Sequence, residues 1–348
     1  MLIICRVMEK VDFVLPWVDG GDPNWRTIKE AYLRQIKPEQ NTGDDANAEC
    51  RYRDMGLLKY WFRGVERFAP WVNKVYFVTC GQRPDWLNVE HPKLVLVNHK
   101  DFIPSKYLPT FNSSTIETNF HRIPGLSEQF VLFNDDVFLL RPINSQFFFR
   151  KGEPVLPCNL YISRYYGNSN WSRVCLNDYC TVNEHFDIQQ SIWDNRRKWF
   201  SISKLGVKLA FMNYVRYQVN KTFCVKGYEH LANPHLKSTF QEVWSKCPAI
   251  MEASSVSRFR SDVQVNQWLM VAWNLAKGCF YPVREGKRGV QINVSTNSLD
   301  TIQSIIEQQK LPMLCTNDTF ANDDFDHCFY EIGKSFETIL PQKSSFEK

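Results

Sequence analysis

The chain of 348 residues lacks a long apolar run, since no stretch approaches the ~18–20 residues that a membrane-spanning helix needs. Residues 1–10 also lack the basic start, the apolar stretch and the small-residue cleavage site of a secretion signal. Both absences argue against a membrane-spanning or secreted protein. We therefore expect the chain to work in the cytosol.

The sequence has no CxxC pair and no regular cysteine spacing, although it contains 11 cysteines. The closest pair, Cys175 and Cys180, is separated by Leu-Asn-Asp-Tyr. An odd count without a spacing pattern argues against a disulfide framework or a zinc site. Reduced thiols packed in the interior are the expected state.

A strong excess of one charge is also missing, because the formal net charge is only +5. A nucleic-acid binder is therefore not indicated. Disorder is excluded as the main state by a hydrophobic fraction of 44% and an aromatic fraction of 14%. Internal repeats and low-complexity stretches are absent, and the length suits one large domain or two at ~150 residues each.

What the first half of the sequence does contain is an alternation of strand and helix patterns. Residues 10–19, 74–79 and 93–98 read as strands, and residues 55–68 carry apolar side chains at helical spacing. This order predicts an α/β fold with a mostly parallel sheet and helices on both faces, of the Rossmann type.

The amino-acid composition and the periodicity of the sequence change after residue 142. Residues 150–225 are rich in Tyr, Trp, Asn and Arg and show weaker periodicity. We predict an α/β half over 1–145, a mixed helical insertion over 146–225, and a second half of the same domain over 226–348.

The most informative motif is Asn134-Asp135-Asp136, which interrupts the apolar run of residues 129–140. Such a run predicts a buried strand, and adjacent carboxylates at its end are costly to desolvate unless a cation meets them. The alternative is a plain turn, in which Asn and Asp form local hydrogen bonds. We favour a divalent metal at the carboxyl end of a central strand.

The sequence has no GxGxxG or P-loop, but a glycine-rich turn at residues 20–23 follows the first strand. Nucleotide phosphates often dock at such a turn. Asp19 and Asp22 flank the glycines. Trp17 could stack on a base or sugar, although a core tryptophan is commoner.

Residues 108–122 predict a helix whose cap is Asn112, Ser113 or Ser114, with Glu117 in its first turn. Glu117 and His121 are four residues apart, so on a helix they share a face, and Arg122 follows. A functional face and a capped helix with a surface ion pair are equally compatible with this pattern.

The second half offers two histidines, His230 and His235, and two arginines, Arg258 and Arg260, ahead of a predicted buried helix at 261–277. Arginine is the preferred side chain for bidentate hydrogen bonds to phosphate oxygens. The alternative is that these arginines form surface ion pairs with Asp262. A single histidine is more often structural than catalytic. An apolar run ending in Asn317-Asp318 repeats the earlier motif.

Basic and aromatic residues are mixed over 196–221. This composition fits a membrane-surface or acceptor-binding face. An ordinary amphipathic helix with a solvated basic side is the favoured interpretation.

Taken together, these motifs resemble the Stealth proteins, which transfer sugar-1-phosphate from nucleotide sugars and include bacterial capsule polymerases and an animal N-acetylglucosamine-1-phosphotransferase. Four regions carry the resemblance. The first is VDFVLPWVDGGDP (11–23), and the second runs from RYRDM (51–55) through LPTFNSS (108–114) to FNDDV (133–137). The third contains NPH (233–235) and RFRS (258–261), and the fourth contains LCTND (314–318) and the last nine residues.

The resemblance implies a GT-A-like fold and transfer of a sugar-1-phosphate from a UDP-sugar to a hydroxyl of an oligo- or polysaccharide, with release of UMP. It implies Mg²⁺ or Mn²⁺ held by Asp135, Asp136 and Asp318. It implies catalytic roles for Asp136 and Glu117. His235 would act as general base or as a hydrogen-bond donor to phosphate, and Arg260 or Arg258 would bind phosphate. The substrate-binding positions it implies are Trp17, Asp19, Asp22, Asn112, His121, Arg122, Asn134 and Asn317.

The resemblance further suggests a bacterial cytoplasmic enzyme near the inner membrane face, with a lipid-linked acceptor. Two departures affect the assignments. Pro16 stands where the family often has Thr, which leaves the role of Asp19 open, and the arginine segment has two candidates. The alternatives are a metal-dependent glycosyltransferase that releases UDP and a non-catalytic sugar- or nucleotide-binding module.

Overall fold

The computed structural model describes residues 10–35, 48–161, 170–225, 230–318 and 324–348. The strands are β1 (Val11–Pro16), β2 (Val75–Thr79), β3 (Leu94–Asn98), β4 (Gln129–Leu132), β5 (Val137–Leu139), β6 (Phe149–Arg150), β7 (Glu153–Pro157), β8 (Asn233–Leu236), β9 (Tyr281–Val283), β10 (Gly289–Asn293) and β11 (Met313–Asn317). The helices are α1 (Pro23–Leu33), α2 (Leu58–Phe68), α3 (Ser113–Thr118), α4 (Asn170–His185), α5 (Ile188–Asp194), α6 (Arg196–Trp199), α7 (Ile202–Leu205), α8 (Val207–Val219), α9 (Lys237–Lys246), α10 (Pro248–Val256), α11 (Gln267–Lys277), α12 (Leu299–Gln308) and α13 (Phe325–Ile339).

The central sheet has the strand order β3-β2-β1-β4-β8. Its first four strands are parallel, and β8 joins β4 in the antiparallel direction at the edge. The expected mostly parallel α/β fold is therefore confirmed, and the architecture is consistent with a GT-A-like fold. The order reverses direction between β1 and β4, and open α/β sheets bind ligands in the crevice at such a point.

Helices cover both faces of this sheet. On β1, Phe13 and Leu15 pack into a core with Trp61 of α2 and Phe336 of α13. Val14 points to the opposite core, which contains most of α11. Parallel strands buried on both faces read as continuous apolar runs, which is why the sequence pattern identified them.

The amino-terminal end of β1 is fixed by a fully buried carboxylate. Asp12 accepts hydrogen bonds from the side chain of Asn73 (2.6 Å), the backbone amide of Lys74 (3.1 Å) and that of Ser127 (2.8 Å). These donors precede β2 and β4, so one side chain ties three neighbouring strands together.

The sequence did not predict a second sheet, of order β10-β11-β5. Strand β5 pairs antiparallel with β11, and the backbone amide of Thr316 donates to the carbonyl of Asp136 at 2.9 Å. The chain therefore leaves the central sheet at Leu132 and enters the second at Val137, so residues 133–136 form the crossing.

A third small sheet, β6-β7-β9, and helices α4–α8 follow. Val182, Ile192 and Trp199 of these helices pack into the same core as α11. The division into 1–145, 146–225 and 226–348 stays a prediction. The cysteines among the described residues are free thiols; half of these are buried, and Cys180 is exposed. In the same part of the chain, no helix is long and apolar enough to cross a bilayer.

Candidate active site

A cleft of about 740 Å³ opens at the carboxyl ends of β1 and β4, where the strand order reverses. The chain segments after β1, β4 and β11, helix α3 and the start of α11 all contribute to it. Its polar lining includes Arg51, Arg53, Ser113, Glu117, Asn134, Asp135, Asp136, His230, Arg260, Gln264, Asn266, Gln267, Asn317 and Asp318. Trp17 lines the cleft but is buried and stacks on Phe77, as a core tryptophan does. Its stacking on a base or sugar stays a prediction.

The Asn134-Asp135-Asp136 motif lies on this cleft, in the crossing between the two sheets. One carboxylate oxygen of Asp136, Oδ2, lies 3.6 Å from His230 Nε2 and accepts a hydrogen bond from the Cys315 thiol at 3.3 Å. The other oxygen, Oδ1, is buried and has no hydrogen-bond partner. A buried carboxylate oxygen without a partner costs free energy, and a bound cation would remove that cost.

The two carboxylates of the motif have different electrostatic environments. Burial and the neighbouring carboxylates of Asp136 and Asp54 raise the pKa of Asp135 to about 8. Burial acts to raise the pKa of Asp136 as well, but the charge of His230 outweighs it and holds that pKa below its usual value. Asp136 is therefore the ionised member of the pair near neutral pH.

His230 contacts two residues of this motif through one ring nitrogen, Nε2. Burial acts to lower its pKa, but the Asp136 carboxylate prevails and raises it. The side-chain nitrogen of Asn134 lies 2.8 Å from His230 Nε2. When the ring is protonated, its charge balances that of Asp136 at a place where a bound cation could do the same.

Ligand atoms of Asp136, His230 and Cys315 lie within 4.8 Å of one another, which makes this group a candidate metal site. Burial raises the pKa of the Cys315 thiol well above its usual value, so without a bound ion the thiol is protonated and donates to Asp136. Carboxylate, imidazole and thiol groups are all ligands of divalent metal ions. The residues present therefore fit a divalent ion.

Of the two other carboxylates predicted to bind metal, Asp135 lines the cleft. Asp318 lines it too, but both its oxygens are engaged by Arg53, at 2.9 Å from Nε and 3.0 Å from Nη2. A metal role for Asp318 stays a prediction that requires this pair to open. The neighbouring Asn317 lines the cleft and donates to Asn293 at 2.8 Å.

The two candidate arginines are separated by the structure. Arg260 lines the cleft and donates to Ser113 Oγ at 3.2 Å, with Arg51 also on the cleft wall. Arg258 is absent from the cleft lining among the described residues. It donates to the carbonyl of Pro109 at 2.5 Å and lies over the ring of Tyr32. The geometry therefore favours Arg260 as the phosphate ligand.

Glu117 reaches the cleft from α3 and is nearly fully buried. Burial raises its pKa to about 7, against the opposing charge of Arg260. A carboxyl group that titrates near neutral pH is suited to proton transfer.

The predicted common face of Glu117 and His121 is wrong, because α3 ends at Thr118 and His121 lies in a separate 3-10 turn. His121 packs against Phe240 and Trp244. Arg122 lies over the Trp244 ring and donates to Asn119. Both side chains are therefore placed away from the cleft.

Of the three cap candidates, Asn112 is the one that caps α3, accepting from the backbone amide of Ser114 at 3.1 Å. Its amide nitrogen lies within hydrogen-bond distance of the carbonyls of Ser257 and Phe259 and the side chain of Gln264. It is fully buried, so its contacts fix α3 to the segment that carries Arg260 and leave it no contact with the cleft.

His235 is not among the residues that line the cleft. Its predicted catalytic role would require it to be there. It is fully buried in β8, packs between Phe130 and Phe240, and its Nε2 lies 2.9 Å from Gln267 Oε1. Burial lowers its pKa to about 4, so the ring is neutral. It touches the cleft only through Gln267.

The glycine-rich turn does not offer free amides to a phosphate. Asp22 caps α1 by accepting from the backbone amides of Asn24 (2.8 Å) and Trp25 (3.4 Å), and from Gln82 Nε2 (3.0 Å). Asp19 accepts from the Gly21 amide at 2.8 Å. Asp22 instead lines an adjoining cavity of about 420 Å³, which shares Trp25 and Phe111 with the cleft.

Sequence reasoning gave no role to three residues in the cleft region: His230, which was named as a candidate but passed over for His235, and Cys315 and Arg51. His230 lies five residues before the histidine that was chosen, and Cys315 and Arg51 lie inside motifs that were quoted without a role. What was missing was the pairing of β5 with β11, which brings Cys315 to Asp136.

A mostly parallel α/β sheet with a carboxylate-lined cleft at its switch point is consistent with the class of GT-A-like folds. Comparison with known proteins agrees. The chain matches Stealth protein CR1, conserved region 1, over residues 9–37 and Stealth protein CR2, conserved region 2, over residues 51–155.

Full-length relatives are similar along the whole chain. A receptor polysaccharide phosphotransferase WefC of Streptococcus oralis is 39% identical over 98% of this chain and 100% of its own length. A capsular polysaccharide phosphotransferase WcwK of Streptococcus pneumoniae is 38% identical over the same shares. CpsJ of Streptococcus thermophilus, also a capsular polysaccharide phosphotransferase, is 45% identical over 55% of this chain and 79% of its own. The chain belongs to the Stealth family and, like these phosphotransferases, is a transferase enzyme.

Proposed function

We propose that the protein transfers a hexose- or N-acetylhexosamine-1-phosphate from a UDP-sugar to a hydroxyl of a polysaccharide, forming a phosphodiester and releasing UMP. The names of the full-length relatives support phosphate transfer to a polysaccharide. The observation that carries the proposal is one cleft that holds both the unpartnered Asp136 oxygen and the Arg260 guanidinium. A divalent ion and a diphosphate together would satisfy both groups.

In the proposed reaction the acceptor hydroxyl oxygen attacks the β-phosphorus of the donor. The bond from that phosphorus to the bridging oxygen breaks, UMP leaves with that oxygen, and the sugar keeps its anomeric C–O bond. Phosphoryl transfer depends on positioning and on neutralising charge. Arg260 and Arg51 meet the phosphate oxygens, and Glu117 takes the proton of the acceptor hydroxyl.

Asp136 and Asp135 would hold Mg²⁺ or Mn²⁺. When bound, such an ion supplies positive charge to the diphosphate oxygens. His230 balances Asp136 in its absence, so the proposal moves the histidine of the site from His235 to His230. His235 positions Gln267.

The setting we assign is the bacterial cytoplasm, with a lipid-linked oligosaccharide acceptor at the inner membrane face. The capsular and receptor polysaccharides in the relatives' names support an envelope polysaccharide as product.

The nucleotide product tests the proposal. Purified protein is mixed with Mg²⁺ or Mn²⁺, a panel of UDP-sugars and a capsule-type oligosaccharide, and the products are followed by ³¹P NMR. UMP together with a phosphodiester signal supports the proposal. Release of UDP with a new glycosidic bond would establish the glycosyltransferase alternative, which the GT-A-like fold also accommodates. Full activity of Asp136→Ala would remove the metal assignment.

A further inference from the structure

Helix α8 carries its apolar residues on the side that faces solvent. Val207, Phe211 and Val219 are 70%, 63% and 64% exposed, and Val215 is exposed as well. Residues four apart share one face of a helix, so these side chains form a continuous stripe. A surface helix normally turns its apolar stripe toward the core. The solvent-facing side of α8 therefore carries this apolar stripe as well as exposed basic residues such as Lys208.

Polar contacts on the inner side fix this orientation. The fully buried Asn213 donates to the carbonyls of Cys158 (2.8 Å) and Trp199 (2.9 Å) and accepts from the amide of Leu160 at 3.0 Å. Arg216 donates to Asn159 Oδ1 at 2.6 Å. Turning the stripe inward would break these buried hydrogen bonds, so the outward stripe is built into the fold.

Amphipathic aromatic residues and a further apolar side chain surround the stripe. Trp193 is exposed and stacks on Tyr217 of α8, with ring centroids 6.1 Å apart. Tyr214 is exposed and meets the edge of Phe200. Ile202 of α7 is exposed just before α8 begins. Trp and Tyr with one apolar and one polar end are the side chains enriched at membrane–water interfaces.

The charge around the stripe has a single sign. Residues 195–221 contain no Asp or Glu, and their basic residues are Arg196, Arg197, Lys198, Lys204, Lys208, Arg216 and Lys221. Lys198 pairs with Glu153 and Arg216 is used internally, while Arg197, Lys208 and Lys221 are exposed. A partner that fits this surface therefore needs an apolar region to cover the stripe and negative charges around that region to meet the basic side chains.

We propose that α8, with Ile202 and Trp193 beside it, docks on the surface of an anionic lipid bilayer. The stripe lies at the boundary of the acyl chains, and the basic side chains lie among the headgroups. A second copy of this chain is disfavoured as the occupant, because it would bring two basic rims together. The surface is separate from the cleft, so the inference does not depend on the proposed reaction.

Vesicle sedimentation tests this docking. Full-length protein is spun with vesicles of phosphatidylcholine alone and with vesicles that also contain phosphatidylglycerol. We expect binding only to the anionic vesicles, and weaker binding as salt rises. Phe211→Glu should weaken binding by about tenfold or more, because an exposed ring is replaced by a charge. Lys208→Glu should weaken it by about fivefold or more.

Matched controls lie on another face of the protein. Tyr330 of α13 is 64% exposed, so Tyr330→Glu places the same charge at a similar exposure. Lys310→Glu matches the charge change of Lys208→Glu. Both controls should bind as the unmodified protein does. Thermal unfolding shows whether each variant is folded, and Val219→Ser is a milder change in the stripe.

Three results would overturn the proposal. Equal binding to neutral vesicles would exclude an anionic partner, and unchanged binding by folded Phe211→Glu and Val219→Ser would exclude the stripe. A dimer in light scattering that Phe211→Glu converts to monomers, without vesicle binding, would assign the stripe to a second copy. Transfer to a water-soluble oligosaccharide should be unchanged in Phe211→Glu, so failure of docking is distinguishable from failure of the proposed reaction.

Discussion

Arg260 and Arg258 are two residues apart and carry the same charge, yet only Arg260 lines the cleft. Arg260→Ala removes a guanidinium group, with its several N–H hydrogen-bond donors, from the part of the cleft where the diphosphate of the UDP-sugar would bind. Loss of one such donor to a developing charge costs about 3–4 kcal/mol, or about 10²- to 10³-fold in kcat. Arg260→Lys keeps the charge but loses the guanidinium group, and should be intermediate.

Arg258→Ala is the matched control. It removes the hydrogen bond to the Pro109 carbonyl and the contact with the Tyr32 ring, which together should cost about 1–2 kcal/mol of unfolding free energy. The backbone carbonyl of Arg258, which accepts from the Phe111 amide at 2.8 Å, is unaffected. Its kcat should therefore stay within a few-fold of the unmodified enzyme.

Initial rates of UMP release, measured for the four proteins at saturating donor and acceptor, give kcat directly. Urea unfolding of the same samples separates stability from activity. The reasoning is refuted if Arg260→Ala retains nearly full kcat, or if Arg258→Ala loses as much kcat as Arg260→Ala while remaining folded.

Two further predictions follow from buried carboxyl groups. The raised pKa of Glu117, about 7, predicts that kcat/KM falls as pH falls through that value, because protonation removes the base. If a Glu117→Gln variant shows the same fall in kcat/KM at low pH, Glu117 is not the base. Asp12→Ala leaves three hydrogen-bond donors without their acceptor and should lower the free energy of unfolding, measured in urea, by about 3–5 kcal/mol. The control Asp326→Ala, at the exposed start of α13, should lower it by less than about 1 kcal/mol. Equal effects of the two substitutions would show that Asp12 does not tie the strands together.

Local patterns in the sequence were enough to predict the central sheet. Strands β1, β2 and β4 are mostly apolar because they are buried on both faces, and α2 shows the spacing of an amphipathic helix. Gly56, in the left-handed region at φ 67°, precedes that helix, which begins at Leu58 and not at residue 55.

The parts that were missed depend on long-range pairing. Strand β8 has four residues, includes a proline and lies at the edge of the sheet, so it gives no strand signal, and His235 became a catalytic candidate. Helix α3 is too short for its spacing to place Glu117 and His121 on one face. The contact of Cys315 with Asp136 joins residues 179 positions apart, which no local pattern records.

The crossing at residues 133–136 also determines how this site could be tuned. Asp136 is bound to the second sheet through Thr316, whereas Arg260 is bound to α3 through Ser113. The separation between the carboxylate and the guanidinium is therefore set by the packing of two structural units against each other. Core substitutions between those units could widen or narrow the cleft for a different donor sugar while every residue that touches the donor stays the same.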